Sequence, residues 1–328
     1  MSQTAPRNAA VEYPRQGEMA FVDLGEPPAP GPDEVLLRTI HSGVTNGTER
    51  HALMAEHGWR TFPGRHGYQH VARVEAVGDR VRFLAPGDTV FYGQYVGHRA
   101  WHLVDVGGER YGAPTHLIAK LPPTLEPWTC ALLGVAGVGM RAVRRCRVGV
   151  ADRVWVAGLG PIGQWAAQSA RAAGAHVTVS DLDDRRLAVA AELGAHRTVN
   201  AGAEGAPGQI KAGGPYHVII DCSGSASILP QIHRDGLIVP RGVICLLAVR
   251  SETTFHWSMM HTLEASIEVS CHFSVDDLRV LLQLLAMGTV RVAPMVTHHV
   301  PIAQAPRIYA TLRDRPGELL GVVFDWLE

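Results

Sequence analysis

The sequence predicts an α/β protein of two domains, a small β-barrel domain and a doubly wound parallel sheet covered by helices. Three observations predict it. The first 120 residues carry short strand-like runs broken by Gly and Pro. From about Pro122 helix and strand patterns alternate, the signature of a parallel sheet with helices on both faces. Within that half, the glycine triad Gly158-Leu159-Gly160-Pro161-Ile162-Gly163 directly follows the apolar run Arg153–Ala157.

The elements follow in chain order. Glu34–Ile40, Val71–Val77 and Asp88–Phe91 read as strands, with turn clusters at Pro27–Pro32 and Ala85–Asp88. In the alternating half the strands are Val154–Val156, Val177–Val179, His217–Ile220, Gly242–Leu246 and Ser266–Val269, and helices lie at Gln164–Gly174, Arg185–Leu193 and Asp276–Met287. The last forty residues turn β-like again, with one helix over Ile302–Arg313 and a terminal strand at Gly321–Phe324. No internal repeat or low-complexity tract interrupts this order.

The triad sits in a strand–helix–strand unit of about 30 residues, the size a dinucleotide site requires. Gly158 permits the tight turn, Gly160 lets backbone approach a pyrophosphate, and Gly163 lets helix and strand pack closely. Pro161 and Ile162 open the helix, whose free N–H groups and partial positive charge face the phosphates. Asp181 lies 18 residues after Gly163, at the tip of the second strand. A carboxylate there accepts from the adenosine ribose hydroxyls and repels a 2′-phosphate, which favours NAD over NADP. Arg185-Arg186 read as solvated charges on the next helix. Ser223 and Gly224 follow a strand end on the cofactor side and are expected to meet the nicotinamide end of the cofactor.

Composition excludes several classes. With 30 Lys+Arg against 31 Asp+Glu there is no basic stripe for nucleic acid. No apolar run has membrane-spanning length, and Met1–Ala10 lacks the apolar core of a secretion signal. The five cysteines stand singly in mainly apolar surroundings and read as reduced core residues of a cytoplasmic protein.

The order of these pieces resembles the medium-chain dehydrogenase/reductase superfamily, essentially end to end. Besides the triad, the resemblance rests on Val74–Gly78, on the turn Pro86-Gly87-Asp88-Thr89-Val90, on Ala131–Val143 before the cofactor domain, and on Glu192–Ala195. It implies a GroES-like β-barrel catalytic domain in residues 1–120 and 286–328, and a Rossmann NAD-binding domain in 121–285. It also implies a small-molecule substrate and a homodimer formed through an edge strand near Ser266–Ser270.

Many members of that family hold a catalytic zinc, and the chain departs at each ligand position. Thr45 stands for the first Cys, Tyr68-Gln69 for the His-Glu pair, and Leu133–Gly137 offers no ligand at the third position. Val90–Tyr111 contains no Cys for a structural zinc. Zinc wants soft or imidazole ligands, and Thr, Tyr and Gln do not supply them. His298 and His299, adjacent on a strand, point to opposite faces and do not chelate together. The expectation is a protein without a metal.

Within the superfamily, His41–Arg50, Asp221–Gly224 and the tail from Val296 to Trp326 resemble the zinc-free group containing the dehydrogenase of bacteriochlorophyll biosynthesis. That resemblance implies a secondary alcohol and ketone pair, on a bulky biosynthetic intermediate. Thr48-Glu49-Arg50-His51 fits the family's proton relay if one residue is inserted after Thr45: Thr48 at the substrate oxygen, His51 passing the proton to solvent. Glu49 is expected to pair with an arginine. The alternative is a helix N-terminus capped by Thr48, with His51 at the surface. Tyr68 can donate to the substrate oxygen in place of the metal, or simply fill the emptied cavity. Gln69 is expected to be its hydrogen-bonding neighbour. Thr45, Gln69 and Trp59 are candidate substrate contacts, while for Tyr92, Tyr95, His98 and Phe62 packing is expected. Two other functions stay open: an NAD(P)H-dependent enone or quinone reductase, which Ala131–Gly137 resembles locally, and a non-catalytic NAD-binding sensor or structural protein.

Overall fold

Strand Glu34–Gly43 is the spine of the first sheet. It pairs antiparallel with His70–Val77, with Trp101–Asp105 and with Gly321–Asp325. The computed structural model describes residues 8–58, 61–107, 109–110, 113–114 and 117–327. The chain divides into two units: one runs up to Gly134 and adds Leu278–Leu282 and the chain from Val296; the other is Val135–Asp277 with Gln283–Met295.

In the first unit a seven-stranded mixed sheet runs in the order Val296–Pro301, Gly321–Asp325, Glu34–Gly43, His70–Val77, Thr89–Tyr92, Ile118–Lys120, with Trp101–Asp105 as a second neighbour of the spine. The register of the spine with His70–Val77 shifts at Leu36/Leu37 and Thr39/His41, as it does at bulges. One core gathers Val35, Leu37, Ala72, Val74, Val90 and Val104. A second gathers Val44 and Leu53 with Ile308, Leu312, Val322 and Phe324, seating helices Asn46–Met54 and Ala305–Asp314.

The second unit is a six-stranded parallel sheet ordered Arg197–Asn200, His176–Asp181, Arg153–Ala157, Tyr216–Asp221, Ile238–Leu246, Ser266–Val269. Its inner strands are buried on both faces, whereas the edge strands Arg197–Asn200 and Ser266–Val269 are largely exposed. Val154, Val156, Val218 and Ile220 join the core on one side, while Trp155, Ala157, Ile219 and Ile244 join that on the other. This is why these strands read as continuous apolar runs, not as alternating ones. The strand order reverses between Arg153–Ala157 and Tyr216–Asp221, the place where such sheets bind ligands beyond their carboxyl ends.

Several elements escape the sequence reading. Strand Arg197–Asn200 buries only Val199 fully and has no apolar run to betray it. Helices Ala206–Ala212, Ile228–Asp235 and Trp257–Leu263 are short, and the first two carry Pro207 and Pro230. Cys271 is exposed, so it is not a core residue, whereas Cys130, Cys146 and Cys245 are buried. Among the described residues no helix is long and apolar enough to cross a membrane.

Candidate active site

The glycine-rich turn has the geometry its spacing demands. Gly158 adopts φ +87°, and a Cβ there would meet the Ser223 backbone N at 2.7 Å. A Cβ on Gly163 would lie 1.9 Å from the Gly158 carbonyl oxygen, so only glycine lets this helix approach the turn. Gly160 faces open space, with nothing within 4 Å. It is the N-cap of helix Pro161–Ala172, whose first turn holds Pro161, Ile162 and Gly163.

Asp181 closes the turn from the second strand. Its Oδ2 accepts from the Leu159 N–H at 2.6 Å and its Oδ1 from the Asp183 N–H at 2.9 Å. Gly158, Gly160, Asp181 and Ser223 line one cavity of about 460 Å³ together with Arg186, Ile210 and Gln231. Arg185 is exposed and bonds Asp183, as a solvated charge should. Arg186 departs from that expectation: its guanidinium lies 4.0 Å from Asp181 and lines the cavity. Helix periodicity places the two arginines about 100° apart, so adjacent charges take different surroundings.

The Ser223 hydroxyl is engaged within its own loop. Its Oγ–H donates to the Asp221 carboxylate at 2.7 Å and its oxygen accepts from the Ser225 N–H at 3.1 Å. Asp221, fully buried at the end of its strand, also accepts from the N–H groups of Ser223 and Gly224 and from the Arg250 guanidinium at 2.6 Å. A buried carboxylate needs such partners. It holds the loop beneath Gly158, a role the Asp221–Gly224 wording did not announce.

In the first unit, Thr45 and Gln69 are brought together. Gln69, fully buried, donates from Nε2 to the Thr45 hydroxyl at 3.0 Å and to the Gly43 carbonyl at 3.2 Å. The sequence points to Tyr68 as the neighbour of Gln69, and carries no signal for the Thr45 and Gly43 acceptors. Tyr68 is buried with its ring 4.6 Å from that of Tyr95, and a Cβ on Gly134 would meet its ring at 2.7 Å. Trp59 lies outside the described residues.

Helix Asn46–Met54 starts with Thr45 at the N-cap, so Thr48 stands in the first turn and does not cap it. Glu49, fully buried, holds this end. Its Oε1 accepts from the Thr45 N–H at 2.7 Å, and its carboxylate accepts from Tyr309 Oη at 2.5 Å and Tyr13 Oη at 3.4 Å and bonds His98 Nε2 at 3.1 Å. Burial, then the Glu49 charge, push both phenols well above their ordinary range, so they stay protonated donors. The expected arginine partner is replaced by these tyrosines and His98. They were missed because Tyr309 is 260 residues away. Arg50 and His51 both turn to Glu56, His51 Nδ1 at 2.7 Å, which orients the half-buried imidazole. Tyr92 and Phe62 pack in the two cores as expected, whereas Tyr95 remains half-exposed.

Comparison with known proteins decides the family. A zinc-binding dehydrogenase family pattern matches residues 161–287. Human sorbitol dehydrogenase is 30% identical over 322 residues, covering 87% of each chain. The chain belongs to the zinc-binding-type medium-chain dehydrogenase superfamily. This dehydrogenase is an oxidoreductase of the alcohol-dehydrogenase type and uses a nicotinamide cofactor. Its fold matches the short chain alcohol dehydrogenase of Escherichia coli CFT073 complexed with NADH, with a TM-score of 0.84 at 18% identity over 97% and 99% of the chains. It equally matches a Sinorhizobium meliloti 1021 protein bound to NADP, with a TM-score of 0.79 at 20% identity over 99% and 100%.

The family implies zinc, and the residues of this dehydrogenase at the positions assigned to it do not fit. Thr45 and Gln69 offer a hydroxyl and an amide that satisfy each other, and Tyr68 offers a phenol packed on Gly134. None is a thiolate, imidazole or carboxylate.

Proposed function

We propose that the chain transfers a hydride between NAD and a secondary alcohol or ketone without a catalytic metal. The observation that carries this reading is the Gln69–Thr45 hydrogen bond, which leaves those positions without a zinc donor set. When bound, the nicotinamide accepts or returns the hydride. The protein's part is to move the matching proton and to hold the substrate oxygen. In the oxidation direction the substrate hydroxyl gives its proton to Thr48, which passes one on towards His51 and solvent. Tyr68 donates to the substrate oxygen in the place that zinc takes in relatives. Glu49 keeps Thr48 in place through the Thr45 N–H, and Glu56 orients His51.

For the cofactor, Asp181 supports NAD over NADP because a carboxylate repels a 2′-phosphate; the nearby Arg186 weakens that repulsion. The wording shared with the bacteriochlorophyll group favours a bulky biosynthetic intermediate as substrate. The chain is expected to work in the cytoplasm as a homodimer. Strand Ser266–Val269 is at the edge of the six-stranded sheet and offers its outer side to a second copy.

The test is a cofactor-reduction screen over secondary alcohols beside a reduction screen over enones, each repeated with a chelator. Turnover of secondary alcohols that survives chelation is the expected result. Turnover of enones alone, or loss of alcohol turnover with the chelator while the chain stays folded, would overturn the reading. Thr48→Ala and Tyr68→Phe should each slow turnover by about 10²–10⁴-fold, the range for a lost proton-transfer or oxyanion group, with NAD binding little changed.

A further inference from the structure

The first unit's sheet carries a group of side chains that the dehydrogenase reading does not use. His41 and Asp325 face each other across two antiparallel strands, in direct register. His299 comes from the next strand, Val296–Pro301, which runs parallel to Gly321–Asp325. His41 Nδ1 lies 2.7 Å and His299 Nε2 2.8 Å from the same oxygen, Asp325 Oδ1. The three potential ligand atoms all fall within 4.8 Å of one another. The imidazoles meet edge to face with centroids 5.9 Å apart, and the Trp128 ring lies 5.2 Å from that of His299.

We propose that His41, His299 and Asp325 bind one divalent transition-metal ion, of which Zn²⁺ is the type. Two imidazoles and one carboxylate are a donor set that zinc, cobalt, nickel and ferrous iron accept, whereas calcium and magnesium want oxygen alone. A tetrahedral ion with ligands at about 2.1 Å sets its donor atoms roughly 3.4 Å apart. Each nitrogen therefore has to draw back from the shared oxygen by about 0.6 Å, within the reach of a side-chain rotation. The side chains are 21%, 34% and 33% exposed for His41, His299 and Asp325, which leaves an entry path and room for a water as fourth ligand. Unlike the positions where zinc sits in relatives, this site holds imidazole and carboxylate donors. The ion ties together three strands whose ligands are up to 284 residues apart, so it clips the C-terminal strand to the spine.

The experiment uses the untagged full chain, stripped with a chelator and titrated with Co²⁺ alone. Visible absorption reports coordination, and a thermal scan reports stability. Expected are saturation at one ion per chain, a raised unfolding midpoint, and displacement by Zn²⁺. His299→Ala and the near-isosteric Asp325→Asn should each abolish the signal, while His298→Ala, whose side chain turns to Thr297, should keep it. No saturable binding, or binding that survives both His299→Ala and Asp325→Asn, overturns the proposal. Neither outcome touches alcohol turnover, which tests the catalytic reading separately.

Discussion

Gln69 and Thr45 join inside the first unit, amide to hydroxyl at 3.0 Å. The pair is buried, so its partners have no water to fall back on. Thr45→Val removes only the hydroxyl and should cost about 1 kcal/mol, while Gln69→Leu strands both the hydroxyl and the Gly43 carbonyl and should cost about 1–3 kcal/mol. Denaturant unfolding measures both. Equal effects from the two variants would show that the Gly43 bond contributes nothing.

Asp181 accepts from the Leu159 and Asp183 N–H groups and, in the proposed complex, from the cofactor ribose. Asp181→Gly should weaken NAD binding by about 10–100-fold, the worth of one or two charge-assisted hydrogen bonds. NADP should lose far less, because the variant also removes a charge that repels its phosphate while Arg186 remains. Titration of both cofactors checks this; an unchanged ratio of affinities would remove the argument for NAD.

Gly163→Ala places a Cβ 1.9 Å from the Gly158 carbonyl oxygen. Backbone atoms on both sides must shift, so the turn opens and cofactor binding should fall by at least about tenfold, beside a stability loss of about 1–3 kcal/mol. Gly160→Ala meets no atom of the chain and should leave stability near wild type while still obstructing the cofactor. That contrast, read by thermal unfolding and NAD titration, separates packing from binding.

Acid should unfold the first unit through buried histidines. Burial first, then neighbouring His98, holds His70 at about 3, and burial likewise pushes His102 well below its ordinary value. In the unfolded chain both titrate near about 6.5, so below that pH the unfolded state binds more protons. Their stabilising contribution is complete above about pH 6.5 and is lost as pH falls towards the folded values, by about 1.4 kcal/mol per pH unit for each group. His70→Gln, which can still donate to the Gly97 carbonyl, should roughly halve the slope. A flat stability between pH 6 and about 4 would contradict the neutral buried state.

Features within a few residues of one another were legible in the chain. The strand–turn–helix around Gly158, the acid at the tip of the second strand and the helix over Val275–Ala286 all announce themselves by local period and by residues with special backbone freedom. The missed items are of another kind. Glu49's partners Tyr13, His98 and Tyr309, the Arg250 partner of Asp221, and the His41–His299–Asp325 group join residues from different elements, some of them hundreds of positions apart. No spacing rule links such residues.

By itself, the sequence determined the two-part architecture and the glycine-rich turn of the parallel-sheet domain, because periodicity and glycine placement are properties of neighbouring residues. Tertiary structure alone decided which distant side chains pair and which charges are buried. It joined Thr45 to Gln69, drew Arg186 but not Arg185 to the cavity beside Gly158 and Asp181, and set two histidines around one carboxylate. A hydrogen bond or ion pair depends on a separation of about 3 Å in space, which only the packing of distant strands and helices establishes.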